Sequence, residues 1–273
     1  MFVQPRPVTM TASAVRTLAL IYHATVRDIR KSHGNAVVAL LLNVVQAMIF
    51  VLAFWAFYTI LGIDRAALRG DFMLYIMSGV FLYMTHTKTL SAIVGSEGPT
   101  SAMMKHGPMT TTVSIVSAAL SALYLQVLTM CAMLFFYHVG FERIEIMNPA
   151  GAFGMVLLAW LSGIGIGMVM LGLKPWAPAL VQLAATLYNR ASMIASGKMF
   201  VANALPAAML ALFDWNPLFH AIDQARGFLF VNYLPWYTNT AYPLAVSAVL
   251  IVVGMMLEFR ARRSASLSWS ARR

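Results

Sequence analysis

The sequence is poor in charge. Asp, Glu, Lys and Arg make up 10% of its 273 residues, whereas 60% are hydrophobic. A soluble domain carries roughly 25% charged residues, enough to cover its surface. A chain this apolar cannot hide its side chains in one core, so lipid must solvate much of it. Acidic residues are the scarcer sign, 9 against 19 Lys and Arg, for a net charge of +10. In a soluble protein that excess would suggest nucleic acid. Here the basic residues crowd at the two ends and in short connections, as the positive-inside rule requires, and no nucleic-acid partner is expected.

Other absences narrow the chemistry. The one cysteine, Cys131, lies inside an apolar run, so no disulfide forms within the chain. There is no GxxxxGK[ST] phosphate loop, no HExxH, no Cys pair and no GxSxG elbow. No catalytic residue, cofactor or metal is therefore expected. Gly163, Gly165 and Gly167 spell GxGxG but lie in an apolar run with no preceding strand, so the nucleotide fingerprint fails. Close helix packing at Gly163 and Gly167 fits better. The first 35 residues lack a short apolar core with a small-residue cleavage site, which predicts an uncleaved first span.

What is present is helical hydropathy. A bilayer core of about 30 Å needs about 20 apolar residues as helix. Segments 36–61, 72–94, 110–138, 150–173, 178–197 and 240–258 qualify. Residues 11–33 place Val15, Leu18, Ile21, Tyr22, Val26 and Ile29 mostly three or four apart, with Arg16, His23, Arg27 and Arg30 elsewhere. That pattern predicts an interfacial amphipathic helix, ended by Gly34, or a solvated cytoplasmic one. Arg6, Arg16, Arg27, Arg30 and Lys31 precede the first span; Arg260, Arg262, Arg263, Arg272 and Arg273 follow the last. Both termini are then cytoplasmic, and six spans satisfy that parity. The expected fold class is all-α and polytopic, as one domain: a segment 1–35, a six-helix bundle over 36–258 and a tail 259–273.

The stretch 198–239 is interrupted by Pro206, Pro217 and Pro235 and carries Asp214, Asp223 and Arg226. Proline and charge both oppose a clean seventh span. Two half-helices, 205–213 and 217–230, dipping into the outer leaflet are expected, with Trp215, Tyr233, Trp236, Tyr237 and Tyr242 at the interface.

Within that stretch Ser196-Gly197-Lys198-Met199-Phe200 is followed by Leu205-Pro206, then Trp215-Asn216-Pro217-Leu218, His220, Asp223 and Arg226-Gly227. The pattern resembles the ABC-2-type permeases that export capsular polysaccharide. The layout of interfacial helix, six spans and re-entrant segment is similar over nearly the whole chain. Asp223 stands where Glu is commoner in that family, and Lys198 stands where an apolar residue is usual. The resemblance implies a multi-pass bacterial inner-membrane subunit without a motor of its own. Two copies would pair, each docking a separate ATP-binding-cassette ATPase. The cargo would be a polysaccharide or glycolipid, handed to a periplasmic export partner.

Candidate residues follow from both lines. Gly98-Pro99 and Gly107-Pro108 bracket a short segment holding Thr100, Met103, Met104, Lys105 and His106. It reads as the coupling helix that docks the ATPase, or as an ordinary loop. Asn43, Gln46, Phe50, Phe54, Phe57 and Tyr58 share helical spacing and could line a sugar path, or simply pack. Tyr188, Asn189 and Arg190 add polar groups deep in the fifth span, as a lining or a structural pairing. Lys198 would add charge near the outer mouth, and both cations would favour an acidic cargo. His86 and Lys88 either face the bundle or snorkel. Asp223 and Arg226, three apart, are expected to pair. Other cargoes (lipid, O-antigen-type glycan, drug), a membrane-embedded enzyme and a secondary transporter are the competing readings. The last lacks the internal repeat such proteins often show.

Overall fold

The computed structural model describes residues 10–31, 35–62, 71–98 and 110–270, with backbone alone for 31 and 265–270. Apart from one short 3-10 turn, the elements among the described residues are α-helices: α1 (Met10–Lys31), α2 (Ala36–Ile60), α3 (Phe72–Val94), α4 (Thr111–Gly140), α5 (Pro149–Leu173), α6 (Pro178–Ala195), α7 (Ala207–Leu210), α8 (Pro217–Leu229) and α9 (Ala241–Ser270). No strand occurs among them. Helices α2 to α6 match the apolar segments within the residue or two by which helix ends fray. Their starts are locally encoded. Asn35, Asp71, Thr110 and Asn148 cap α2 to α5 by accepting from amides of the first turn. Pro149, Pro178 and Pro217 sit in the first turns of α5, α6 and α8, where a missing N–H costs nothing. The last helix does not stop at 258. It runs through Ser270, so the expected tail is helical that far, with Arg262 bonded to Glu258 at 2.7 Å.

Among the described residues, four helices are long and apolar enough to cross a membrane: α2, α4, α5 and the 241–264 part of α9. The chain therefore has transmembrane character. The other two expected spans, α3 and α6, are helical but more polar. In α3 the polar Ser78, Thr85, His86 and Thr89 are buried in protein. Of its 23 residues 17 are buried, and it touches α2, α4, α5, α6 and α8. In α6 only Val181, Ala185 and Ser192 are buried.

The core lies where α3, α5 and α8 meet, with Ile76, Val80, Ala159, Leu218 and Ile222 at its centre. The three glycines of the GxGxG run in α5 serve packing on two sides. A Cβ at Gly163 would lie 2.6 Å from the His86 carbonyl oxygen, and one at Gly167 would lie 3.1 Å from Ile93 Cβ, both on α3. Gly165 faces α9 instead, 3.1 Å from the Ser247 carbonyl oxygen. Side chains there would push the helices apart.

Candidate functional site

The segment between α6 and α8 is where the sequence pattern converges. Gly197 turns the chain after α6 with φ +72, and a Cβ there would meet the Phe219 ring at 2.5 Å. Asn216 caps α8 by accepting from the Leu218 amide at 3.0 Å, while its Nδ2 donates to the Ala195 carbonyl at 2.9 Å. One side chain thus joins the end of α6 to the start of α8.

The expected ion pair between Asp223 and Arg226 does not form. Arg226 is fully buried. It donates to the carbonyls of Gly197 (2.9 Å), Phe200 (2.6 Å) and Lys198 (2.6 Å), and its guanidinium lies 4.2 Å from the Tyr75 ring centre. Asp223 accepts from the Ala202 amide at 3.1 Å, from the Thr238 hydroxyl at 2.8 Å and from the Tyr233 hydroxyl. The irregular segment 197–202 offers orphan carbonyls and an orphan amide, and these outcompete a pairing along the helix. An ionised Asp223 carboxylate can only accept, so the Tyr233 phenol is the donor.

His220 completes the clamp. Its Nε2 donates to the Asp214 carbonyl at 2.6 Å, and its Nδ1 accepts from the Asn239 amide at 3.2 Å. Gly197, Asn216, Pro217, Asp223 and Arg226 are therefore one assembly. Ser196 lies beside them, buried, its hydroxyl without a partner among the described residues. Pro206 stands apart and exposed. The expected half-helix 205–213 shrinks to the single turn α7, while α8 matches its expected range. Trp215, Trp236 and Tyr237 are exposed, but Tyr233 is buried against Asp223 rather than placed at an interface.

Lys198 is enclosed rather than open. Its ammonium lies 3.7 Å from the Tyr83 ring centre, 4.6 Å from Phe54 and 5.5 Å from Phe50, with no hydrogen-bond acceptor among the described residues. The residue is 3% exposed. Its backbone rests on Gly79 of α3, and the Tyr58 hydroxyl donates to the next carbonyl, that of Met199. Sequence reasoning missed Tyr75 and Tyr83. With Gly79 they recur every four residues, a single helix face, and that spacing was the available signal.

The remaining path candidates separate. Asn43 donates to the Ala39 carbonyl at 2.8 Å and faces Gln126 of α4. Gln46 accepts from Lys88 at 2.6 Å, so Lys88 is tied to α2 rather than snorkelling. Asn189 donates to Ser91 at 3.2 Å, and the Tyr83 hydroxyl donates to the Asn189 carbonyl at 3.2 Å. These contacts lay a polar strip along α3 between α2 and α6. Arg190 is exposed, with no partner among the described residues.

His86 is fully buried between α3, α5 and α6. Its Nδ1 lies 2.8 Å from Ser162 Oγ, and its Nε2 lies 2.9 Å from the Tyr188 hydroxyl. A Ser–His pair invites comparison with a hydrolase. Ser162, however, donates its proton to the Ala159 carbonyl at 2.8 Å. His86 Nδ1 must then donate to Ser162, and Tyr188 donates to Nε2. The imidazole is no base toward that serine, and both residues are fully buried. No group of three metal-ligating side chains occurs among the described residues.

The coupling candidates Thr100, Met103, Met104, Lys105 and His106 lie outside the described residues. Their flanks are fixed. Ser114 Oγ accepts from the Glu97 amide at 3.2 Å, and Lys174 donates to the Val94 carbonyl at 2.7 Å.

No protein-family model and no curated protein matches the chain.

Proposed function

We propose that this protein is the permease subunit of an ATP-driven exporter of cell-surface polysaccharide, of the ABC-2 type, in a bacterial inner membrane. The observation that carries the reading is the clamp. The residues bearing the resemblance, Gly197, Asn216, Pro217, Asp223 and Arg226, hold one irregular segment against α3. Non-helical backbone at membrane depth is tolerated only when buried in protein or lining a wet cavity. The clamp meets that condition for a re-entrant segment over 198–239. In this reading α3 and α6 also cross the bilayer, giving six spans, with α3 shielded from lipid by its neighbours.

Two copies pair, and glycan moves between them past the polar strip and Arg190. The exposed apolar residues of α2 and α6, such as Leu41, Ile49, Leu180 and Leu187, suit lipid or the second copy. A separate ATPase docks on residues 100–106. Two features stand against a membrane enzyme: the enclosed Ser162–His86 pair, and the absence of an orienting carboxylate there among the described residues.

The test is co-expression with a candidate ATP-binding-cassette ATPase subunit from the same genome. The expected result is a stable complex that restores surface polysaccharide to a strain lacking its own permease. A Met103→Glu, Met104→Glu double variant should insert normally but fail to bind the ATPase, because a carboxylate buried in an apolar cleft costs several kcal/mol. Restoration without any ATPase would overturn the reading.

A further inference from the structure

The C-terminal half of helix α1 packs against the bundle, with Ala24 and Ile29 buried. Its Asp28 accepts from Ser117 of α4 at 2.9 Å and from Arg27 at 3.3 Å. Residues 10–19 are exposed all round, including the apolar Val15 and Leu18. Val15, Leu18 and Tyr22 share one helical face, so an apolar surface is the medium that would cover them.

A cleft of about 770 Å³ opens between α1 and α4. Its α4 wall is Leu120, Leu123, Val127 and Leu128, and its α1 wall includes Tyr22 and Arg30. Arg30 is exposed and has no partner among the described residues, while Asp28 is already engaged. The cleft thus combines a long apolar wall with a free cation at its rim. A guanidinium can give two parallel hydrogen bonds to a phosphate. Basic pockets beside membrane helices on the cytoplasmic side select anionic head groups.

We infer that the cleft between α1 and α4 is a binding site for one anionic phospholipid, with its phosphate on Arg30 and an acyl chain along Leu120, Leu123, Val127 and Leu128. The site is independent of the transport reading. It would make docking of α1 sensitive to the acidity of the surrounding lipid.

The full chain, purified in detergent, is titrated with phosphatidylglycerol and with phosphatidylcholine of the same acyl chains. Native mass spectrometry counts the bound lipid. Wild type should favour phosphatidylglycerol about fivefold, the effect of one basic residue near an anionic head group. Arg30→Ala should abolish the preference and Arg30→Lys should keep most of it. Leu123→Trp, which fills the cleft, should weaken both lipids. Arg16→Ala, roughly 21 Å further along α1 at 1.5 Å per residue, should change nothing. Four outcomes would overturn the site. These are equal binding of the two lipids by wild type, a preference retained in Arg30→Ala, an equal loss in Arg16→Ala, or displacement by free glycerol phosphate, which would mark a site for soluble anions.

Discussion

Asp223 and Arg226 sit one turn apart on α8 and grip the same stretch of chain without touching each other's charge. Arg226 holds the carbonyls of residues 197, 198 and 200, and Asp223 holds the amide of Ala202. A buried segment with no regular structure must find partners for its backbone groups, and these two side chains supply four of them. The acid and the base are therefore matched to opposite ends of peptide groups, one accepting and one donating.

Replacing Arg226 should be severe. Arg226→Met leaves the Lys198 and Phe200 carbonyls without a donor and the Gly197 carbonyl with only the Phe200 amide at 3.3 Å, a loss of at least about 2 kcal/mol at 1–3 kcal/mol for each unsatisfied group. Arg226→Lys should not rescue it, since a point ammonium cannot reproduce the planar fork stacked on Tyr75. Thermal unfolding in detergent, followed by size-exclusion chromatography, would measure this. A midpoint unchanged in Arg226→Lys would contradict the fork geometry.

Gly79→Ala should also destabilise. The added Cβ would lie 2.8 Å from the carbonyl oxygen and Cβ of Lys198, and backbone there cannot give way cheaply. Overpacking of this kind costs about 1–3 kcal/mol. Gly62, with nothing within 4 Å of a Cβ but a φ of +69, isolates backbone strain from crowding. If Gly79→Ala unfolds no earlier than wild type, the close contact between α3 and the 198 segment is wrong.

Lys198→Met should raise stability. An aromatic box returns up to about 2 kcal/mol to a desolvated ammonium, but the burial of an ion costs several kcal/mol. Desolvation wins, so the midpoint should rise while the fold is kept. Export then decides why the charge is there. A stabler protein with reduced surface polysaccharide would assign Lys198 to transport, and a stabler protein with normal export would leave it no role in the path.

Arg190→Gln should leave abundance and unfolding unchanged, because the guanidinium is exposed and unpartnered among the described residues. Against bare lipid an arginine would cost about 2.5–3.5 kcal/mol, so it should meet water, a second copy or cargo. The expected result is lower surface polysaccharide per folded transporter. Normal export at normal abundance would remove Arg190 from the path, and with it the preference for an acidic cargo.

Membrane orientation is open to chemical labelling. In a Cys131→Ala background, needed because Cys131 is exposed, single cysteines replace Asn148 and Ser264. An impermeant thiol reagent should label position 148 in intact cells with permeabilised outer membranes, and position 264 only after lysis. The reverse pattern would invert the assigned topology.

Much of the helical frame was legible in the sequence, because each cause is local. Apolar runs set the lengths of α2, α4 and α5, and Asn35, Thr110 and Asn148 cap their starts. The amphipathic face of α1 and the packing role of Gly163 and Gly167 also follow from residue spacing alone. Tertiary structure decided which polar groups meet. Asp223 and Arg226 looked like a pair at helical spacing, yet the three carbonyls on Arg226 and the amide on Asp223 come from a segment more than twenty residues earlier, and Tyr233 and Thr238 donate to Asp223 from beyond the helix. Lys198 read as a charge near the outer mouth, and the fold closes rings from α2 and α3 around it. His86 and Lys88 looked alike on one helix, yet one is sealed between three helices and the other bonds Gln46. Hydropathy is summed along the chain and survives as a one-dimensional signal. A hydrogen bond in a low-dielectric interior depends on angstrom-scale placement of groups distant in sequence, and only the packed fold supplies that placement.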